Sequence, residues 1–152
     1  KDLKNYSWVD LDNEGSVNLI MKYLIDRNHK DIAYINIEEN YNFAYQRQQG
    51  YRKSLKKYKI KYNPKYYLSV QNEEPEQSAT IIKKMLTQHP KITALICSTE
   101  YSGVGAIKAC NELTWSYSTP NEGGRTADFD NNINFFSNRF QGPINTGNNI
   151  AI

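Results

Sequence analysis

Apolar positions recur at helical spacing in four stretches of the chain, and short extended runs separate them. The first stretch carries Val17, Ile20, Met21, Leu24 and Ile25 at i, i+3, i+4, i+7 and i+8, one buried stripe on a helix that follows the extended run Trp8-Val9-Asp10-Leu11. Asn13 is placed to cap its amino end. Asn28 stands where the helix should stop, at about Arg27, because asparagine is the residue besides glycine that tolerates the left-handed backbone of a helix terminus. Ile32-Ala33-Tyr34-Ile35-Asn36-Ile37 then reads as a strand apolar on both faces, as a parallel sheet covered by helices requires. A second helix over about 44–58 turns Tyr51, Leu55 and Tyr58 inward and leaves Arg52, Lys53, Lys56 and Lys57 on a solvated outer face. The alternation continues with a strand at 66–70, then a helix with Pro75 in its first turn and Ala79, Ile82, Met85 and Leu86 as its apolar face. A strand at 93–97 and a helix over about 101–113 complete it.

Strands alternating with helices over short connections predict an α/β fold with right-handed crossovers and a mostly parallel sheet. There is no internal repeat. Beyond Thr114 the pattern fades: residues 115–152 are rich in Asn, Gly, Ser and Thr, with mainly apolar clusters only at 133–136 and 150–152. Irregular structure with at most short strands is expected there.

Composition narrows the function classes. At 152 residues the chain can form one core, whereas a two-lobed binding domain usually needs about 250 residues or more. Nineteen basic against sixteen acidic residues give no global field for nucleic acid or a membrane surface. No apolar stretch approaches the roughly 18 residues that span a bilayer, and residues 1–20 lack a signal-peptide pattern. Cys97 and Cys110 show neither metal-type spacing nor a disulfide framework, which suits free core thiols in a reducing cytosol.

In an open parallel sheet, ligands bind beyond the carboxyl ends of the strands. Four candidates fall there. The planar fork of Arg47 could grip vicinal hydroxyls or a carboxylate, the alternative being a surface charge. Phe43, just ahead of that helix, could offer its ring to a ligand face or serve as a core or staple residue. Asp130 could accept hydrogen bonds from a polyol or be a turn residue. Thr99, before a helix whose amide groups are free, could contact a ligand or cap the helix. Catalytic constellations are missing: His29 and His89 follow helix ends with no Ser or Cys arrangement nearby. Gly103-Val104-Gly105 lies inside a predicted helix and lacks the Lys-Ser/Thr of a phosphate loop, so its small residues are read as close helix-to-sheet packing.

Several of these segments resemble one family in order and spacing. Val9-Asp10-Leu11-Asp12-Asn13-Glu14, then Tyr23-Leu24 through Asn28-His29-Lys30-Asp31-Ile32-Ala33-Tyr34-Ile35, look like the helix, Gly-His, strand signature of the LacI/GalR repressors, with Asn for Gly. Arg47-Gln48-Gln49-Gly50-Tyr51 is similar to that family's Arg-x-x-Gly-aromatic pattern. Thr93 to Glu100 followed by Gly105-Ala106-Ile107 resembles the strand and helix whose junction usually carries Asn-Asp. The resemblance runs over about residues 6–114 and on to about 147; near the end Asp128-Phe129-Asp130 stands for a Gly-Phe-Asp motif reached one residue late, and Gln141-Gly142-Pro143 is similarly displaced.

The resemblance implies a Rossmann-like, parallel-sheet lobe of the type I periplasmic-binding-protein fold with an incomplete first lobe. It divides the chain into 1–29, the end of a first lobe; 30–132, the second lobe; and 133–152, a crossover and return segment. It further implies an effector-sensing role without cofactor or catalysis, with Arg47 gripping a small-molecule effector such as a sugar and Asp130 its partner across the cleft, and Thr99 and Phe43 as further contacts. A homodimer in the cytoplasm would reach operator DNA only through a helix-turn-helix headpiece ahead of Lys1. A sugar-binding protein of an uptake system shares the fold and is the alternative. A flavodoxin-like enzyme would need a phosphate loop after the first strand, where Asp12-Asn13-Glu14-Gly15 puts acids instead.

Overall fold

The computed structural model describes residues 9–38, 40–71 and 74–113, together with the backbone of 117–118 and 133–137. Helix α1 (Asn13–Asp26) comes first, followed by β1 (Ile32–Ile37), α2 (Asn42–Lys57), a single 3-10 turn (Pro64–Tyr66), β2 (Tyr67–Val70), α3 (Pro75–Gln88), β3 (Ala94–Cys97), α4 (Glu100–Glu112), β4 (Tyr117–Ser118) and β5 (Ile133–Ser137). The five strands are all parallel, in the order β2-β1-β3-β5-β4. β5 coincides with the apolar cluster expected at most as a short strand.

Local chemistry sets the helix ends. Asp12, rather than Asn13, caps α1: its Oδ1 accepts from the amide of Gly15 at 2.7 Å. Asn28 adopts φ 68°, and the amides of Asn28 and His29 close onto the carbonyls of Ile25 and Leu24, which satisfies the last turn as expected. Lys59, at φ 57°, ends α2 in the same manner. α2 begins at Asn42, two residues earlier than expected, with no side-chain cap to announce it.

Alternation along β1 and β3 divides the core into two layers. Ile32, Tyr34, Ala94 and Ile96 face α1 and α2, meeting Val17, Ile20, Met21, Leu24, Tyr51 and Leu55. Ala33, Ile35, Leu95 and Cys97 face α3 and α4, meeting Ile82, Met85, Leu86, Ala106, Ala109 and Cys110. α1 shares its core with β1 and β3. The apolar stripe of a helix must be buried somewhere, and here the nearest sheet takes it.

Two glycines set how closely the helices approach. A Cβ on Gly50 of α2 would lie 2.7 Å from the carbonyl oxygen of Glu14 in α1. One on Gly105 of α4 would lie 2.6 Å from Cβ of Ser78 and 2.8 Å from the carbonyl oxygen of Pro75. Gly105 therefore serves helix-to-helix packing against α3, not the helix-to-sheet packing its sequence suggested. Both cysteines are buried and free, and burial pushes each thiol up to about 12.

Candidate functional site

The chain leaves β1 through α2 toward β2 on one side, and leaves β3 through α4 toward β5 and β4 on the other. The carboxyl ends of β1 and β3 thus flank the point where strand order reverses, which opens a crevice in an α/β sheet. Arg47, in the second turn of α2, reaches across it. Its Nη1 donates to the carbonyl of Ser98, just past β3, at 2.7 Å, and its Nε donates to Oδ1 of Asn13 at 3.0 Å. The guanidinium lies over the ring of Phe43, 4.9 Å from its centroid, as residues four apart on a helix allow. Phe43 in turn tilts against Tyr41 at 5.7 Å.

The spacing Arg47-x-x-Gly50 explains how this reach is possible. Residues three apart share a helix face, so the glycine that lets α2 close on α1 also brings the arginine one turn earlier up to Asn13, the first residue of α1. Half-buried, the guanidinium has its pKa lowered chiefly by desolvation, an effect opposed by nearby Tyr34 and Asp10. It remains a cation, as arginine does throughout the working pH range. Two of its five N–H donors are spent on protein acceptors among the described residues.

Thr99 is the amino cap of α4. Its Oγ1 accepts from the amide of Ser102 at 3.3 Å while the Ser102 hydroxyl reaches back to the Thr99 amide at 3.3 Å, a reciprocal capping box. Its residue neighbour Ser98 carries the carbonyl that Arg47 holds, so Arg47, Phe43 and Thr99 are gathered at one strand end. Asp130 lies outside the described residues.

Sequence reasoning did not single out three residues that the structure brings to this strand end. Asn13 was read as a cap, but its side chain holds Arg47 instead. Asn36 and Ser98 sit side by side on the sheet, since β1 and β3 pair Ile35 with Cys97 and the Ser98 amide donates to the Ile35 carbonyl at 2.9 Å. Both are buried. Asn36 donates through Nδ2 to the carbonyl of Ala44 at 2.9 Å and to the Tyr67 hydroxyl at 3.0 Å. Its Oδ1, like Oγ of Ser98, has no hydrogen-bond partner among the described residues. A lone amide inside a strand that is otherwise apolar on both faces was the available signal for Asn36. A groove of about 750 Å³ at the opposite end of the sheet, between Lys30, Tyr58, Lys59 and Tyr62, holds none of the candidates. No group of three or more His, Cys, Asp or Glu among the described residues is placed to hold a metal ion.

A parallel sheet with this strand order and an arginine at its reversal point has counterparts among known proteins. The model of the family described as periplasmic binding proteins and the sugar-binding domain of the LacI family matches residues 8–131. The chain belongs to that family. Among its relatives, the HTH-type transcriptional repressor PurR of Histophilus somni is 36% identical over 91 residues, which are 60% of this chain and 27% of that one. PurR of Haemophilus influenzae is 35% identical over 94 residues, 62% of this chain and 28% of that one. The chain thus spans little more than a quarter of the length of these relatives. Solved structures share the fold: a regulatory protein of the LacI family from Chloroflexus aggregans superposes with TM-score 0.69 at 23% identity, covering 74% of this chain and 41% of that one. A LacI-family sugar-binding transcriptional regulator from Escherichia coli, complexed with phosphate, gives TM-score 0.69 at 20% identity over 90% of this chain and 44% of that one. The type I periplasmic-binding-protein architecture expected from the sequence is the one observed, and the LacI-family relatives are transcriptional regulators.

Proposed function

We propose that this chain is the effector-sensing part of a LacI-type transcriptional regulator, and that its ligand is held in the crevice at the carboxyl ends of β1 and β3. The observation that carries this reading is Arg47, a half-buried cation fixed at the point where strand order reverses, with further N–H donors not engaged among the described residues. Phe43 flanks it with an aromatic face, and the side-chain oxygens of Asn36 and Ser98, buried and without a hydrogen-bond partner among the described residues, are acceptors a ligand donor would have to reach. Thr99 and Asp130 complete the contact set, Thr99 with whatever capacity its capping role leaves. The ligand is a small metabolite such as a sugar.

Binding between this lobe and a second one would favour one relative orientation of the two, and through a homodimer alter the spacing of DNA headpieces carried elsewhere in the protein. Coupling of about 1–3 kcal/mol is typical of such switches. The family model also includes periplasmic binding proteins, but the repressor relatives favour the regulator. No helix among the described residues is long and apolar enough to cross a membrane.

The test is Arg47→Ala in the full-length protein. Operator affinity is titrated with a panel of hexoses, disaccharides and purine bases. A charge-assisted contact contributes about 1.5–3 kcal/mol, so the variant should need about tenfold to a hundredfold more of the active compound. An unchanged response would remove Arg47 from the site.

A further inference from the structure

Arg47 is connected in a second direction. The Asn13 amide that accepts from its Nε also donates through Nδ2 to the carbonyl of Leu11 at 3.1 Å and to Oε1 of Gln46 at 2.9 Å. These partners fix the orientation of the amide. Flipped, it would turn a donor toward the guanidinium and an acceptor toward two oxygens. Asn13 is 3% exposed, and its three side-chain contacts are part-buried. Leu11 belongs to the segment 9–12 that leads into α1, where the Val9 side chain is fully exposed and Leu11 60% exposed. Little apolar burial holds that segment, and its course depends on hydrogen bonds, among them those from the Asn13 amide nitrogen and side chain to the Leu11 carbonyl.

We infer that Asn13 is a positioning residue: it orients Arg47 in the crevice and ties the guanidinium to segment 9–12, so that a ligand drawing on Arg47 is felt at Leu11. The biological sense of this link rests on the reading of Arg47 as the grip on the effector, but the link itself is testable with no effector present. In the ground state Arg47 is anchored on both sides, by Ser98 at the end of β3 and by Asn13 at the start of α1. Any shift of the guanidinium toward a ligand must lengthen or re-aim the Nε contact. The Asn13 amide, bonded to Leu11 and Gln46 as well, then turns with it.

Nitrogen-15 NMR of the full protein reads both halves. The Nε–H of Arg47 should exchange with solvent about tenfold or more slowly than those of Arg27 and Arg52, whose recorded contacts are made by Nη atoms. Asn13→Ala should abolish that protection. Asn13→Asp keeps an acceptor beside Arg47 and should retain the protection, while losing the donor to Leu11 and so moving the backbone amide resonances of Leu11 and Asp12. Arg47→Lys should move those same two resonances and leave that of Leu95, on the other face of the sheet, in place. The inference fails if Arg47 exchanges as fast as Arg27 and Arg52 in the unsubstituted protein, if protection survives Asn13→Ala, or if Leu11 and Asp12 ignore Arg47→Lys. Should Asn13→Ala not fold, the unsubstituted protein and Asn13→Asp decide. Signals that behave as expected in a protein whose Arg47→Ala variant still responds normally to effector would sink the functional reading alone.

Discussion

The two faces of the sheet are built from different materials. Toward α3 and α4 the core is aliphatic and sulfur-bearing: Ala33, Ile35, Leu95 and Cys97 against Ile82, Met85, Leu86 and Cys110. Toward α1 and α2 an aliphatic layer of Val17, Ile20, Met21, Leu24 and Leu55 also carries aromatic and polar groups. Tyr34 lies 5.2 Å from the ring of Tyr51 and 6.0 Å from that of Tyr67, the Tyr51 hydroxyl donates to the Ile32 carbonyl at 2.9 Å, and Ser54 donates to Asn18 at 2.6 Å. Aliphatic packing has no orientation to remember, whereas a network of amides, hydroxyls and a guanidinium has one preferred geometry and loses much when it is disturbed. Within the candidate site, Asn13 and Arg47 are bonded to each other on the second face and Asn36 is buried on the same side, while Thr99 caps α4 of the first. Both layers supply apolar burial, and the second adds the hydrogen-bonded geometry that, on the proposed function, a ligand alters.

The comparison breaks most sharply at Leu95, fully buried on the aliphatic face. Leu95→Ala should cost about 2–5 kcal/mol in urea unfolding and leave effector response unchanged wherever the variant is folded. The two glycines give the next effect. Gly50→Ala and Gly105→Ala should each cost about 1–3 kcal/mol, because each Cβ meets backbone atoms that cannot move freely. Only Gly50→Ala should also weaken the effector response, since it pries α2 from α1 and Arg47 from Asn13. Equal functional loss in both variants would erase the distinction between the faces. The smallest effect belongs to Tyr51→Phe, which keeps the stacked ring but leaves the Ile32 carbonyl without its donor. Denaturant titration should show a loss of about 1 kcal/mol, and a loss no larger than the scatter would mean that the hydroxyl contributes nothing to the ordering of this layer.

What could be read from the sequence was what depends on near neighbours. The stripe of α1, its end at Asn28, the buried strand 32–37 and Pro75 at the opening of α3 all follow from residues within a turn or two of each other. The site was half legible by the same measure. Arg47 and Phe43 declared themselves by position after a strand, and Gly50 by its spacing from Arg47. Asn13 and Ser98 did not, because their partner lies 34 and 51 positions away, and no local pattern reports which distant side chain a buried amide or carbonyl will meet. Asn13 was misassigned for a related reason: Asp12 and Asn13 both suit a cap, and only the tertiary demand from Arg47 assigns the capping to one and the bridging to the other. Gly105 was legible as a small residue in a helix, but the element it makes room for was not, since helix and sheet neighbours ask for the same lack of a side chain.

The most direct test of the central claim is a crystal structure of the intact regulator with its effector bound. The account predicts ligand density at the carboxyl ends of β1 and β3, within hydrogen-bond distance of the Arg47 guanidinium. Density at the other end of the sheet, in the groove between Lys30 and Tyr62, with Arg47 still bonded to Asn13 and Ser98 and not to the ligand, would contradict it.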